Sequence, residues 1–117
     1  MTDEIGEQLA DWGTVAIVET RGRVTGSPAR AAIGYVEDAD GSILVAAGSP
    51  DAAWARNLLI DPACVVTIGG AVSARVAEEL AGADRNAAIS RLILRYGTPA
   101  EGLGRGPVFR LRPAGGA

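Results

Sequence analysis

The spacing of apolar residues along the chain changes between two periods. Residues 14–20, Thr-Val-Ala-Ile-Val-Glu-Thr, are rich in β-branched types and predict a strand, and similar runs at 29–37, 42–47, 63–69, 71–79 and 107–112 predict five more. Asp38-Ala39-Asp40-Gly41 and Gly69-Gly70 carry hairpin chemistry, whereas Arg21 to Pro28 is a longer turn-rich loop. Helical spacing appears in three places. Ile5, Leu9 and Trp12 follow a cap at Thr2 or Asp3 and stop at Gly13. Trp54, Asn57 and Leu58 follow Asp51, which stands where an N-cap should, and Asp61-Pro62 ends that helix after about two turns. From Asp84 onward, Ile89, Leu92, Ile93 and Tyr96 form an apolar stripe, with Tyr96 facing the core, and Gly97 and Pro99 close it. A Gly-rich stretch from Glu101 to Gly106 leads into the last strand. About six antiparallel strands, mostly joined by hairpins, with two or three short helices give an α+β, mainly β fold: a single small barrel with helices packed on it, spanning 1–117 as one domain.

Composition narrows the chemistry. The chain has 117 residues, 48% hydrophobic and 21% charged, with net charge −3, which suits one compact domain with its own core. It contains no histidine and no lysine, so all 11 basic residues are arginine. A histidine triad, an imidazole proton shuttle, a Schiff base and a Walker lysine are therefore excluded. Cys64 is the single cysteine; it can form no internal disulfide, lacks partners for a metal site, and reads as a small buried hydrophobe. An enzyme built this way takes its hard chemistry from a bound cofactor.

Charge is unevenly placed. Residues 1–20 carry five acids and no base, while residues 21–30 carry Arg21, Arg23 and Arg30 and no acid. Neither an excess of positive charge nor interleaved aromatics supports nucleic-acid binding, and no apolar run approaches the ~20 residues of a membrane span. The acidic start also lacks the features of a secretory signal, so a cytoplasmic location is expected.

Two segments could carry chemistry. In the loop at 21–30, Gly22 and Gly26 let the backbone turn and present N–H groups, while Arg23, Thr25, Ser27 and Arg30 supply side-chain donors suited to a phosphate. An ordinary solvated loop fits the same residues. In the segment from Ala46 to Asn57, the small residues Ala46, Ala47, Gly48 and Ser49 would let a flat ring approach the backbone, Trp54 could pack on such a ring, and Asn57 could read its polar edge. Alternatively, Trp54 and Leu58 simply plug the barrel end.

Taken in order, Thr20-Arg21-Gly22-Arg23-Val24-Thr25-Gly26-Ser27-Pro28-Ala29-Arg30, Asp40-Gly41, Val45-Ala46-Ala47-Gly48-Ser49, Trp54-Ala55-Arg56-Asn57-Leu58 and Asp61-Pro62 resemble the deazaflavin-dependent nitroreductase family over about residues 13–80. The resemblance implies a flavin-binding split β-barrel that uses the 8-hydroxy-5-deazaflavin coenzyme F420. It assigns Arg23, Thr25, Gly26 and Arg30 to the coenzyme's phosphate, Ala46, Gly48 and Ser49 to the ring, and Trp54 and Asn57 to the same site. Tyr35, five residues after Arg30, takes the place of a substrate-side tyrosine. This sequence departs from the family where Val24 replaces a common lysine, where one extra residue, taken as Ala29, precedes Arg30, and where Ala55 replaces a common aromatic. These departures imply weaker or shifted phosphate binding and a substrate pocket that is open or completed by a partner chain.

The expected activity is hydride transfer from reduced deazaflavin to a small activated acceptor, a nitro compound, quinone or enone, with Tyr35 or Ser49 donating a proton or hydrogen bond. FMN in the same groove, or a non-catalytic cofactor carrier, remain alternatives. A homodimer is the expected assembly.

Overall fold

The computed structural model describes residues 15–97 and 105–114. Seven antiparallel strands, β1 (Ala16–Arg21), β2 (Pro28–Ile33), β3 (Val36–Glu37), β4 (Ile43–Ala46), β5 (Ala63–Ile68), β6 (Ala71–Glu79) and β7 (Val108–Pro113), form one sheet in the order β2-β1-β5-β6-β7-β4-β3. Two helices, α1 (Ala53–Ile60) and α2 (Gly82–Tyr96), pack against it. The helix expected behind Thr2 or Asp3, Pro99, and most of the Gly-rich stretch lie outside the described residues.

The sheet order dictates the shape. β2 and β3 occupy opposite edges, yet only Gly34 and Tyr35 separate them in the chain. Three Cα steps span at most about 11 Å, whereas the outer strands of a flat seven-strand sheet would stand about 29 Å apart. The sheet therefore curls into a half-barrel. The strand expected over 29–37 is thus two strands, and the break has a visible cause in Tyr96. Its hydroxyl donates to the Tyr35 carbonyl (3.1 Å) and accepts from the Tyr35 N–H (3.0 Å). A Cβ on Gly34 would come within 3.1 Å of the Tyr96 ring, so glycine lets the ring seat against this link.

Curling gives the sheet an inner and an outer face, each with its own core. Inside lie Ala16, Val18, Ile33, Tyr35, Ile43, Val45, Ala47, Cys64, Val66, Phe109 and Leu111, closed off by Ala55 and Leu58 of α1 with Trp54 packed alongside. Outside, Val36, Leu44, Ala46 and Val108 meet Leu80, Ala88 and Leu92 beneath α2. Alternation along β7 feeds both: Phe109 and Leu111 face inward, while Val108 faces the helix. β4 is buried at every position because it serves both cores.

Local chemistry mostly follows the sequence. Gly69 and Gly70 both take positive φ in the β5–β6 turn, and Gly97 (φ 77°) ends α2. One expected cap is corrected: the N-cap of α1 is Ala52, not Asp51. The Asp51 N–H instead donates to Ser49 Oγ (3.1 Å), forming a local turn ahead of the helix.

Candidate functional site

The loop between β1 and β2 is a folded turn rather than an open strap. Gly22 N donates to Ser27 O and Gly26 N to Gly22 O, each at 2.8 Å, and Ser27 N donates to Thr25 Oγ1 at 3.2 Å. A Cβ on Gly22 would meet Ser27 O at 2.7 Å, and Gly26 has φ +77°, so glycine is required at both corners. The N–H groups of Gly22, Gly26 and Ser27 are consumed within the turn. Gly26 therefore contributes shape, and the capacity to bind an anion passes to the exposed side chains of Arg23 and Thr25.

Arg23 is tied to α1. Its backbone N–H (3.2 Å) and guanidinium Nη1 (2.9 Å) both donate to Asn57 Oδ1. Asn57 is 2% exposed, and its Nδ2 donates to Oγ1 of Thr20 (3.0 Å), which is equally buried on β1. An interior amide must satisfy both of its ends, and this arrangement does so. Arg30 stands on β2 opposite Glu19 and pairs with it at 4.0 Å, on the face turned away from the barrel interior.

The other expected residues divide. Trp54 lies against Phe109 with ring centroids 5.9 Å apart, beside the inner core that also holds Ala47 and Tyr35. Gly48 is exposed, with open space where a side chain would stand, and Ser49 is half-buried at the approach to α1. Ala46 is 4% exposed and lies under α2, so the structure does not bring it to the α1 side. Tyr35 is buried, with the Arg95 guanidinium 4.5 Å above its ring. It stands at the end of β2 remote from the loop.

Sequence reading missed an open cavity of about 360 Å³ beside the same loop, lined by Gly26 and Pro28 and by Glu19, Arg21, Asp61 and Val65. Arg21 pairs with Asp61 there at 3.7 Å. The cavity's signal was faint because its lining comes from five separate stretches of chain. Cys64 also borders this cavity, but burial pushes its thiol up to about 11, so it is neutral near pH 7 and a poor nucleophile. Among the described residues no His, Cys, Asp or Glu cluster could hold a metal ion, and no helix is long and apolar enough to cross a membrane.

The donor set suits a cofactor that carries a phosphate: exposed Arg23 and Thr25 side chains on a rigid turn, with an open glycine at 48 where a flat group can approach backbone. The chain resembles the structure of an F420-H2 dependent reductase, FDR-A, at 23% identity and TM-score 0.71, covering 85% of this chain and 94% of that one. It is similar in fold to the heme storage protein HutZ from Vibrio cholerae (20% identity, TM-score 0.72, 97% and 91% covered). A structure described as a domain-swapped dimer matches at 23% identity and TM-score 0.72, with 93% and 95% covered. Among curated proteins there is no significant match. The sequence model of the F420H2-dependent quinone reductases matches residues 1–100, and the chain belongs to that family of oxidoreductases, whose coenzyme is F420.

Proposed function

We propose that this protein reduces quinones and, by the same chemistry, other small activated acceptors such as nitro compounds and enones, with Arg23, Thr25 and Arg30 holding the phosphate of F420. The observation that carries the assignment is the Arg23 guanidinium, exposed on a turn whose shape is fixed by Gly22 and Gly26 and whose anchor is Asn57. When bound, the reduced coenzyme supplies the hydride. The protein's contribution is orientation: a phosphate held by a guanidinium fork places the attached ring reproducibly, and proximity of this kind accounts for much of the barrier lowering in transfer reactions.

Gly48 and Ser49 offer the ring a surface without bulky side chains, and Trp54 borders it from α1. The Ser49 hydroxyl, which accepts from the Asp51 N–H, still has a proton to donate towards an acceptor oxygen. Tyr35 is the second candidate donor. With no histidine or lysine in the chain, proton delivery rests on hydroxyl groups or solvent. The fold likeness to a domain-swapped dimer favours a homodimer as the working assembly.

Fluorescence titration of the wild type and of the double variant Arg23→Glu/Arg30→Glu with F420 tests the phosphate assignment. The double variant should lose affinity by about a hundredfold or more, because two attractive charges become repulsive. Equal affinities would remove the assignment. A screen of quinone, nitro and enone acceptors with the loaded protein then ranks the substrates, and turnover of none of them would leave a cofactor carrier.

A further inference from the structure

We infer that Asn57 is a positioning residue for the phosphate: it locks Arg23 in place through a neutral amide, so that the arginine is ordered while no carboxylate among the described residues cancels its positive charge. This rests on the deazaflavin reading above and changes the role of Asn57, from a contact on the ring's edge to a support behind the arginine.

The geometry leaves Asn57 little capacity for a ligand. Its Oδ1 already accepts two hydrogen bonds from Arg23, its Nδ2 donates to Thr20, and the side chain is 2% exposed. A side chain so enclosed acts on a ligand through what it holds. What it holds is both the backbone and the guanidinium of one residue, which fixes the turn and the charged group together.

The neutrality of the amide matters as much as its position. Arg21 pairs with the carboxylate of Asp61 and Arg30 with that of Glu19. Among the described residues the partner of the Arg23 guanidinium is an amide oxygen. A carboxylate at position 57 could accept the same two hydrogen bonds, but it would neutralise the arginine and repel an incoming anion. An amide supplies the order without that cancellation. Ordering a long side chain before binding removes a cost that the ligand would otherwise meet, worth about two- to tenfold in affinity.

The test is Asn57→Asp, which is nearly isosteric and keeps the Arg23 acceptor; the Thr20 hydroxyl can turn to donate to it. Titrations with F420 and with its phosphate-free deazaflavin riboside should separate the two possible roles. Asn57→Asp should raise the coenzyme Kd by about tenfold or more, leave the riboside Kd within about twofold, and shift the melting temperature little. Equal weakening towards both ligands, or no change towards either, overturns the inference. If Asn57→Asp does not fold, Thr20→Val removes the support behind Asn57 and should weaken the coenzyme several-fold while sparing the riboside; sparing both overturns the inference as well. Failure of the underlying phosphate reading looks different: the wild type and Arg23→Gln would bind the coenzyme alike, and the inference would fall with it.

Discussion

Two settings for arginine differ on this barrel: a network on the outer face, and the position of Arg23 at the β1–β2 loop. On the outer face, Arg91 of α2 pairs with Asp38 at 3.4 Å, Arg110 of β7 with Asp38 at 3.6 Å and Glu78 at 3.5 Å, and Arg112 with Glu78 at 2.8 Å. Three cations share two carboxylates there, and the chain of contacts ties α2, the β3–β4 hairpin, β6 and β7 together. Around the β1–β2 loop, Arg21 and Arg30 also meet carboxylates, whereas Arg23 meets an amide. Composition alone cannot tell the settings apart. What distinguishes them is whether charge is cancelled by the fold or kept for a ligand.

The sharpest way to break this contrast is to neutralise Arg23 and, separately, one arginine of the outer network. Arg23→Gln should weaken F420 binding by about tenfold or more, since a charged hydrogen bond contributes roughly 1.5–3 kcal/mol, and leave the melting temperature nearly unchanged. Arg110→Gln should do the reverse. It leaves Asp38 and Glu78 each short of a partner beside a half-buried site, costing about 1–2 kcal/mol and several degrees in melting temperature, with coenzyme affinity preserved. Paired thermal melts and titrations check both halves, and a parallel loss in either variant would erase the distinction.

A smaller effect is expected from Asp38→Asn. Two arginines would lose a carboxylate whose side chain is 29% exposed, and exposed or half-exposed pairs contribute about 1 kcal/mol or less each. The melting temperature should fall by a few degrees, again without a change in coenzyme binding. Raising the ionic strength sharpens the same contrast from the other side: an anion held on an exposed arginine should bind more weakly in salt, while the fold's stability responds much less.

The sequence made the strands legible because their signals are local. β5 and β6 are bounded by Pro62 and the Gly69-Gly70 turn, and the structure ends them there. Gly34 shows where local reading stops. The apolar run continues through it, and the break depends on Tyr96, 61 residues away from Tyr35. The side that Ala46 serves was illegible for a related reason: a strand buried on both faces has no alternation to say which core a small residue joins. Arg23 and Asn57 were legible as candidates from loop chemistry and helical spacing. Their contact was not, because nothing in a linear spacing of 34 residues announces a shared hydrogen bond. The N–H groups of Gly22 and Gly26 were expected to face a ligand, and the turn's own hydrogen bonds claim them instead.

The smallest expected effect lies at the edge of the outer network. Asp40 accepts a hydrogen bond from the Ser42 N–H at 2.9 Å, and this, with the nearby positive charge of Arg110, holds its carboxyl below the usual value of 3.8. A depressed folded value means the carboxylate supports the hairpin above the unfolded value and loses that support as pH falls through the folded one. Asp40→Asn should therefore lower the melting temperature slightly at pH 7, and the gap from wild type should close in strongly acidic buffer. Coenzyme affinity at pH 7 should be the same for both proteins, because Asp40 lies on the β3–β4 hairpin beside Arg110, in the outer network. A gap that stays constant with pH would mean that the hairpin depends on the shape of the aspartate rather than its charge.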